Sequence, residues 1–348
     1  MKRLKYDWTK TNDYPKENGL KVFGTFVCGG GSTMGYKLAG FVHLGGVEID
    51  KRMATIYKTN HNPKYFYLED IRDFNQRTDL PSELYNLDIL DGSPPCSTFS
   101  ISGNRELDWG KEKVFREGQK KQTLDDLVFV YCDTIEKLRP KVAILENVCG
   151  IVAGRAKAYT IKIHERLNAI GYDVQIFQLN SATMGVPQSR ERIFFVARRK
   201  DIGLPNLTLK FNEKPIYFGD VVDRGSNNHR TLMDSITKRW PYIEYGDQSL
   251  KFADSKYRNL NEPKAFYNTV IVYDNVVMPT LTSSGATVYY DEARHLNNTE
   301  YIRVSSFPSD FDFCGSPVRY VCGMSVPPLM TANIANAIRE QWFQSNSI

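Results

Sequence analysis

The sequence predicts an α/β fold: a doubly wound, mostly parallel sheet with a smaller, irregular second domain. Three observations predict it. Short apolar runs alternate with stretches of helical spacing between residues 21 and 198, the rhythm of parallel strands joined by crossover helices. The first unit of that rhythm reads strand, glycine-rich turn, helix, from Val22 to Gly40. After Arg199 the alternation stops, and residues 199–293 carry scattered aromatics and few periodic segments.

Each element can be justified in turn. Residues 1–20 read as a polar lead-in. Val22, Phe23, Phe26 and Val27 form a short strand that Cys28-Gly29-Gly30-Gly31 breaks, and a helix follows over 33–38, closed by Gly40. Asp88-Ile89-Leu90 is a strand running into Gly92-Ser93-Pro94-Pro95-Cys96. Leu124, Leu127, Val128, Tyr131, Ile135 and Leu138 share one face of a helix over 122–138, which Pro140 ends. Val142 to Leu145 is a buried-type strand leading into Glu146-Asn147. The spacing then predicts a helix over 161–167, an extended segment over 174–179 and an apolar strand over 193–197. Short β-like runs stand at 269–273 and 287–290, and 329–343 is helical, with Ile334, Ile338 and Trp342 on one side. The division expected is a lead-in at 1–20, a regular domain at 21–198, an irregular domain with a hinge at 199–319, and a helix at 320–348 returning to the regular domain.

Composition narrows the classes. At roughly 150 residues per domain, 348 residues suit two domains. Hydrophobic residues at 41% exclude a wholly disordered chain. A mean hydropathy of -0.42, with no apolar run near the roughly 18 residues of a membrane helix, predicts no membrane span. The first twenty residues lack the apolar core of a secretory signal. Six cysteines with no CxxC pair fit neither a disulfide framework nor a zinc site, so no metal and a reducing cytoplasm are expected. A net charge of +5 suits a polyanionic partner without requiring one.

Four segments can carry chemistry. Gly29-Gly30-Gly31 lets the backbone approach a ligand, and Glu48, about twenty residues on, stands where a carboxylate can hold ribose hydroxyls; a packing turn and a surface glutamate explain the same residues. Cys96 follows two prolines at a strand's carboxyl end, suiting a nucleophile or a structural thiol. Glu146 at the next strand end suits a general acid or a helix cap. Arg190 and Arg192, read as one strand, share a face and suit a phosphate or base edge, or an exposed ion-paired face.

The order and spacing of these segments resemble the cytosine-5 DNA methyltransferases. Phe26 to Gly31, with Gly35 and Ala39-Gly40-Phe41, is similar to the family's first motif. Glu48-Ile49-Asp50 and Asp70-Ile71 match the next two, Pro95-Cys96 with Phe99-Ser100 the catalytic loop, and Glu146-Asn147-Val148 the ENV motif. Gly185-Val186-Pro187-Gln188 precedes the Arg-x-Arg pair, Arg303 with Phe307-Pro308 resembles the ninth motif, and Gly323 with Ser325 to Pro328 the tenth. Cys28, Ser97, Asn297, Thr299 and Met324 depart from the usual residues.

The resemblance implies a Rossmann-like, S-adenosylmethionine-dependent methyltransferase. By it, Cys96, Glu146, Arg192 and Arg190 are catalytic. Phe26, Gly29, Gly30, Gly31, Glu48, Ile49, Asp70, Ile71, Pro94 and Ser325 bind S-adenosylmethionine and its product S-adenosylhomocysteine, with Glu48 on the ribose and Asp70 on the adenine. Residues 21–198 become the catalytic and cofactor domain and 199–319 the target-recognition domain. Residues 97–121 become a closing loop with basic residues for phosphates. The partner implied is double-stranded DNA with its target base flipped out. The expected setting is a cytoplasmic monomer, prokaryotic or phage-encoded, in a restriction-modification system. An RNA cytosine-5 methyltransferase of the same fold is the nearest alternative. A nicotinamide-linked oxidoreductase leaves Cys96, Glu146 and the arginines unexplained. Intact Cys96 and Glu146 argue against a catalytically silent homologue.

Overall fold

The computed structural model describes residues 5–95, 126–224, 230–260 and 265–344. Cys96, the 97–121 loop and the first residues of the 122–138 helix lie outside the described residues. The chain forms two compact units. One comprises 14–180, 191–210 and 331–348; the other comprises 1–13, 181–190 and 211–330.

The first unit is built on a seven-stranded sheet. In chain order its strands are β1 (Lys21–Thr25), β2 (Val42–Glu48), β3 (Tyr65–Leu68), β4 (Ile89–Gly92), β5 (Val142–Val148), β6 (Tyr172–Asn180) and β8 (Glu191–Arg199); β7 (Gln188–Ser189) belongs to the second unit. Their spatial order is β3-β2-β1-β4-β5-β8-β6, and β8 alone runs antiparallel to its neighbours. The order reverses between β1 and β4, the switch point at which such sheets open a crevice beyond their carboxyl ends. One face packs α4 (Ile71–Gln76), α5 (Leu127–Leu138) and α6 (Lys157–Ala169) around Phe23, Leu90, Tyr131, Leu145 and Phe195. Tyr131 bonds the carbonyls of Leu90 and Ile144 from α5, and a Cβ at Gly92 would lie 2.5 Å from its ring. β4 therefore needs glycine at its last position.

Local chemistry sets the helix starts. Gly30, at φ 90°, opens α2 (Gly31–Leu38). A side chain there would be strained and would also meet His61 Nε2, 2.0 Å from its Cβ. Asp50 caps α3 (Lys51–His61) by accepting from Arg52 N and Met53 N, and Asp70 caps α4 by accepting from Arg72 N. Each such cap is worth about 1 kcal/mol. Residues 199–210 and the chain end both belong to this unit because they hold each other: Trp342 Nε1 donates to Pro205 O and Thr208 N to Gln341 Oε1.

The second unit carries a three-stranded sheet, β9 (Thr269–Val272), β11 (Ala286–Tyr289) and β12 (Arg294–His295), in the order β12-β11-β9. The short β10 (Met278–Pro279) pairs with β7. Among the described residues α7 (Asp234–Thr237), α8 (Lys251–Tyr257), α9 (Asn298–Val304) and α10 (Val318–Met324) accompany them. α11 (Pro328–Ile338) then carries the chain out of this unit. Ile236, Leu250, Ala253, Ile271, Tyr273 and Val288 make a small core. Beside it the buried Asp254 accepts from Arg239 and Arg258, while the Arg239 guanidinium stacks on Tyr257 and Phe266. The segment expected to be a polar lead-in is partly structural. Trp8 is buried and donates to Ser306 O, and Lys10 N and Thr11 N, at the start of α1 (Lys10–Asp13), donate to Asp310. Residues 181–190 also join this unit rather than the sheet, so the division differs from a single cut near 199.

Candidate active site

Strand pairing gathers four charged side chains on one face of the sheet. Gly24 pairs with Gly46 and with Asp91, and Asp91 pairs with Ile144. Side chains alternate along a strand, so Glu48, two residues beyond Gly46, and Glu146, two beyond Ile144, share the face of Asp91. Glu146 pairs with Phe194, which puts Arg192 on that face as well. All four stand at the edge where β1, β2, β4 and β5 end.

At the β1–β2 end, Phe26 and Cys28 adopt positive φ, 54° and 49°, turning the chain from β1 into Gly29-Gly30-Gly31 and α2. Glu48 fixes that turn. One carboxylate oxygen accepts from Cys28 N and the other from Asp50 N, each at 2.8 Å. Ile49 is exposed beside it, whereas Ile71 is buried against Leu127 and its carboxyl-bearing neighbour Asp70 also pairs with Arg72. His61 Nε2 lies 3.2 Å from Gly29 O, backing the loop from below. The loop, Glu48, Ile49 and Asp70 thus belong to one edge, while Ile71 offers it no side chain.

At the β4–β5 end, Arg192 Nε lies 3.1 Å from Glu146 Oε1, and both side chains are largely buried. Asn147 turns its amide the other way: Nδ2 donates to Pro94 O at 3.5 Å and Oδ1 accepts from Val148 N. Asn147 therefore ties the end of β5 to the segment that leads into Cys96, which itself lies outside the described residues. Asp91, absent from the residues expected to act here, is buried in the same face. Its Oδ1 accepts from Tyr36 OH at 3.0 Å, and burial, with the neighbouring Glu146 charge adding to it, pushes its carboxyl up to about 7. The signal for it in the sequence is a charge inside the apolar run Ile89-Leu90-Asp91-Gly92.

Two expected site residues lie in the second unit. Arg190 stands between β7 and β8 and in neither, so it does not share a strand face with Arg192. Its buried guanidinium donates to Leu281 O and Gly323 O, and its backbone N–H to Ser181 Oγ. Ser325 donates to Val321 O, one turn back in α10. Among the described residues no group of three or more His, Cys, Asp or Glu could hold a metal, and no helix is long and apolar enough to cross a membrane.

Comparison with known proteins identifies the family. The model of the C-5 cytosine-specific DNA methylase family matches residues 20–340. The chain belongs to that family. As a DNA (cytosine-5-)-methyltransferase, it places the methyl group on C5 of cytosine in DNA. It is similar to the Type II methyltransferase M.FnuDI of Fusobacterium nucleatum, 25% identical over 92% of this chain and 94% of that protein. The Type II methyltransferase M.DdeI of Desulfomicrobium norvegicum is 30% identical, over 94% and 90%. Among solved structures, a putative DNA modification methyltransferase encoded within a prophage of E. coli superposes with a TM-score of 0.65 at 20% identity, covering 93% of this chain and 99% of that one. The methyltransferase sheet is therefore the Rossmann-like one that the sequence predicts.

Proposed function

We propose that this methyltransferase acts through the Cys96 thiolate, which adds to C6 of a cytosine flipped out of a specific double-stranded DNA sequence. The observation that supports it best is the β4–β5 edge. Glu146 and Arg192 are paired on one face, and Asn147 bonds the segment just before Cys96. C5 of cytosine is a weak nucleophile. Addition of a thiolate at C6 makes C5 an enamine carbon, and a proton or strong hydrogen bond at N3 favours that addition. Glu146 supplies the contact at N3, and Arg192 holds both Glu146 and the base. After transfer the C5 proton leaves and the C6–S bond breaks, which returns the thiolate. Arg190 braces the backbone at 281 and 323 within its own unit.

The chemistry of the donor set fits S-adenosylmethionine. Ribose hydroxyls and the adenine amino group are donors, and Glu48 and Asp70 offer carboxylate acceptors on the same edge, with Ile49 an exposed apolar surface for the ring. Backbone at Gly29–Gly31 and the start of α2 faces the methionine part. When bound, this cofactor supplies an electrophilic methyl and leaves as S-adenosylhomocysteine. Glu48→Ala and Asp70→Ala are each expected to weaken S-adenosylmethionine binding by about 10–100-fold, the scale of a hydrogen bond to a charged group. Calorimetry with the cofactor alone checks this, and unchanged affinity in both variants would remove the assignment.

The Type II designation of two relatives supports a role beside a restriction enzyme, and the bacterial and phage sources of the relatives suit bacterial or phage DNA in the cytoplasm; action as a monomer is part of the same reading. Mapping methylated cytosines in the DNA of an expressing host tests the function, and one short sequence should carry them. Specificity is assigned to the part of 199–293 that lies in the second unit, 211–293. Replacing that segment with its counterpart from a relative of other specificity should move the methylated sequence. An active chimera that keeps the old preference would contradict the division. Methylation of RNA instead, in the same assay, would favour the RNA enzyme of this fold.

A further inference from the structure

We propose that His61 is a positioning residue for the cofactor: its imidazole holds the Gly29 carbonyl, and that bond keeps the glycine turn in the form that receives the methionine part of S-adenosylmethionine. The inference rests on the reading of Gly29–Gly31 as backbone that faces that part. Three glycines in a row give the turn more conformational freedom than other residues would, so groups outside it must hold it. Two side chains grip adjacent residues. Glu48 Oε2 accepts from Cys28 N at 2.8 Å, and His61 Nε2 lies 3.2 Å from Gly29 O. A carbonyl only accepts, so Nε2 carries the hydrogen and donates. Within the turn Gly30 N donates to Val27 O at 2.9 Å. The peptide between Gly29 and Gly30 is therefore bonded at both its polar ends.

The donor is itself held in place. His61 is buried and is the last residue of α3, which Asn62 ends with a left-handed φ of 44°. The Tyr57 ring, one turn earlier on α3, lies 4.8 Å from the His61 ring. Tyr57 OH stands 2.6 Å from His43 Nε2 on β2 and 3.1 Å from Thr33 Oγ1 on α2. Lys37 Nζ on α2 donates to His61 O at 3.5 Å. β2, α2 and α3 thus converge on the ring that carries the donor. Its Nε2 edge, not its face, meets the turn: of the His61 atoms, Nε2 comes nearest to a Cβ built at Gly30. An apolar side chain at 61 could pack on Tyr57 equally well, but it would take this donor from a buried carbonyl.

The test measures the affinity of two ligands by calorimetry. One is S-adenosylmethionine. The other is 5′-methylthioadenosine, which keeps the adenine, the ribose and the S-methyl but lacks the amino-acid arm. His61→Asn has an amide too short to reach Gly29 O, and His61→Leu fills the space without a donor. Each should weaken S-adenosylmethionine by about 3–10-fold, the worth of one buried hydrogen bond, and leave 5′-methylthioadenosine within about twofold of the parent protein. His61→Gln places an amide donor at the reach of Nε2 and should restore S-adenosylmethionine binding. Unchanged S-adenosylmethionine affinity in the Asn and Leu variants overturns the proposal. Equal weakening of both ligands does so too, since that is the mark of a site that has lost its structure. A His61→Gln protein as weak as His61→Asn also overturns it. Glu48→Ala separates this inference from the reading beneath it, because both ligands carry the ribose assigned to Glu48. If Glu48→Ala weakens neither ligand, the cofactor reading of this edge fails first; if it weakens both while His61→Asn changes nothing, only the role of His61 fails.

Discussion

Replacing Glu146 by glutamine is expected to lower turnover by about 10²–10⁴-fold, the usual scale of general acid work, while DNA affinity changes little. The amide is nearly the same size, can still take the Arg192 hydrogen bond through its oxygen, and can still donate to a base nitrogen. It cannot deliver a proton. The structure makes this substitution clean because the rest of the edge is held by other groups. Asn147, not Glu146, bonds Pro94 O, and β5 is paired with β8 along its length and with β4 over 142–145. Turnover and DNA binding measured on the same preparation check the split. Near-normal turnover would put the acid elsewhere, and lost DNA binding with normal single-turnover rate would make Glu146 a binding group only.

Much of this edge was legible in the sequence because its signals are local. The turn at Gly29–Gly31 needs glycine at Gly30, where φ is 90° and His61 closes the space for a Cβ. Glu48 and Glu146 end apolar strands, and a charge that terminates a buried run marks the edge of a sheet. What the sequence concealed depends on tertiary partners. Arg190 and Arg192 look alike two residues apart. The strand is interrupted at Arg190, whose guanidinium is taken by carbonyls at 281 and 323, and nothing within ten residues announces that. Asp91 reads as a strand residue until Tyr36, 55 positions away, is seen to bond it. Residues 1–20 read only as a polar lead-in for the same reason, since Trp8 finds its partner at Ser306. Ile71, adjacent to Asp70, packs its apolar side chain with Leu127, a partner the local sequence does not announce.

Cys96→Ser is expected to abolish turnover, with a loss on the order of 10⁴-fold or more, the scale seen when a covalent nucleophile is removed. A serine hydroxyl is far less nucleophilic than a thiolate. Other cysteines cannot substitute. Cys132 is on the buried face of α5, with its thiol pushed up to about 12 by burial, and Cys149 is raised by burial too. Cys28 lies in the glycine-rich turn, where its backbone N–H is bonded to Glu48. Cys28→Ser, Cys132→Ser and Cys149→Ser should therefore retain methylation. Loss of activity in one of them equal to that in Cys96→Ser would show that the nucleophile had been misplaced.

The most direct measurement uses DNA in which the target cytosine carries fluorine at C5. Elimination after methyl transfer requires loss of the C5 hydrogen, and fluorine cannot leave as a proton. Enzyme and DNA should then remain joined through a C6–S bond, in a complex that survives denaturation. Formation should require S-adenosylmethionine, because the blocked step follows transfer. It should fail in Cys96→Ser and persist in the other three cysteine variants. Mass spectrometry of the joined peptide is predicted to place the bond on Cys96. An adduct on another cysteine, or no adduct from an enzyme that methylates the unmodified DNA, would contradict the mechanism.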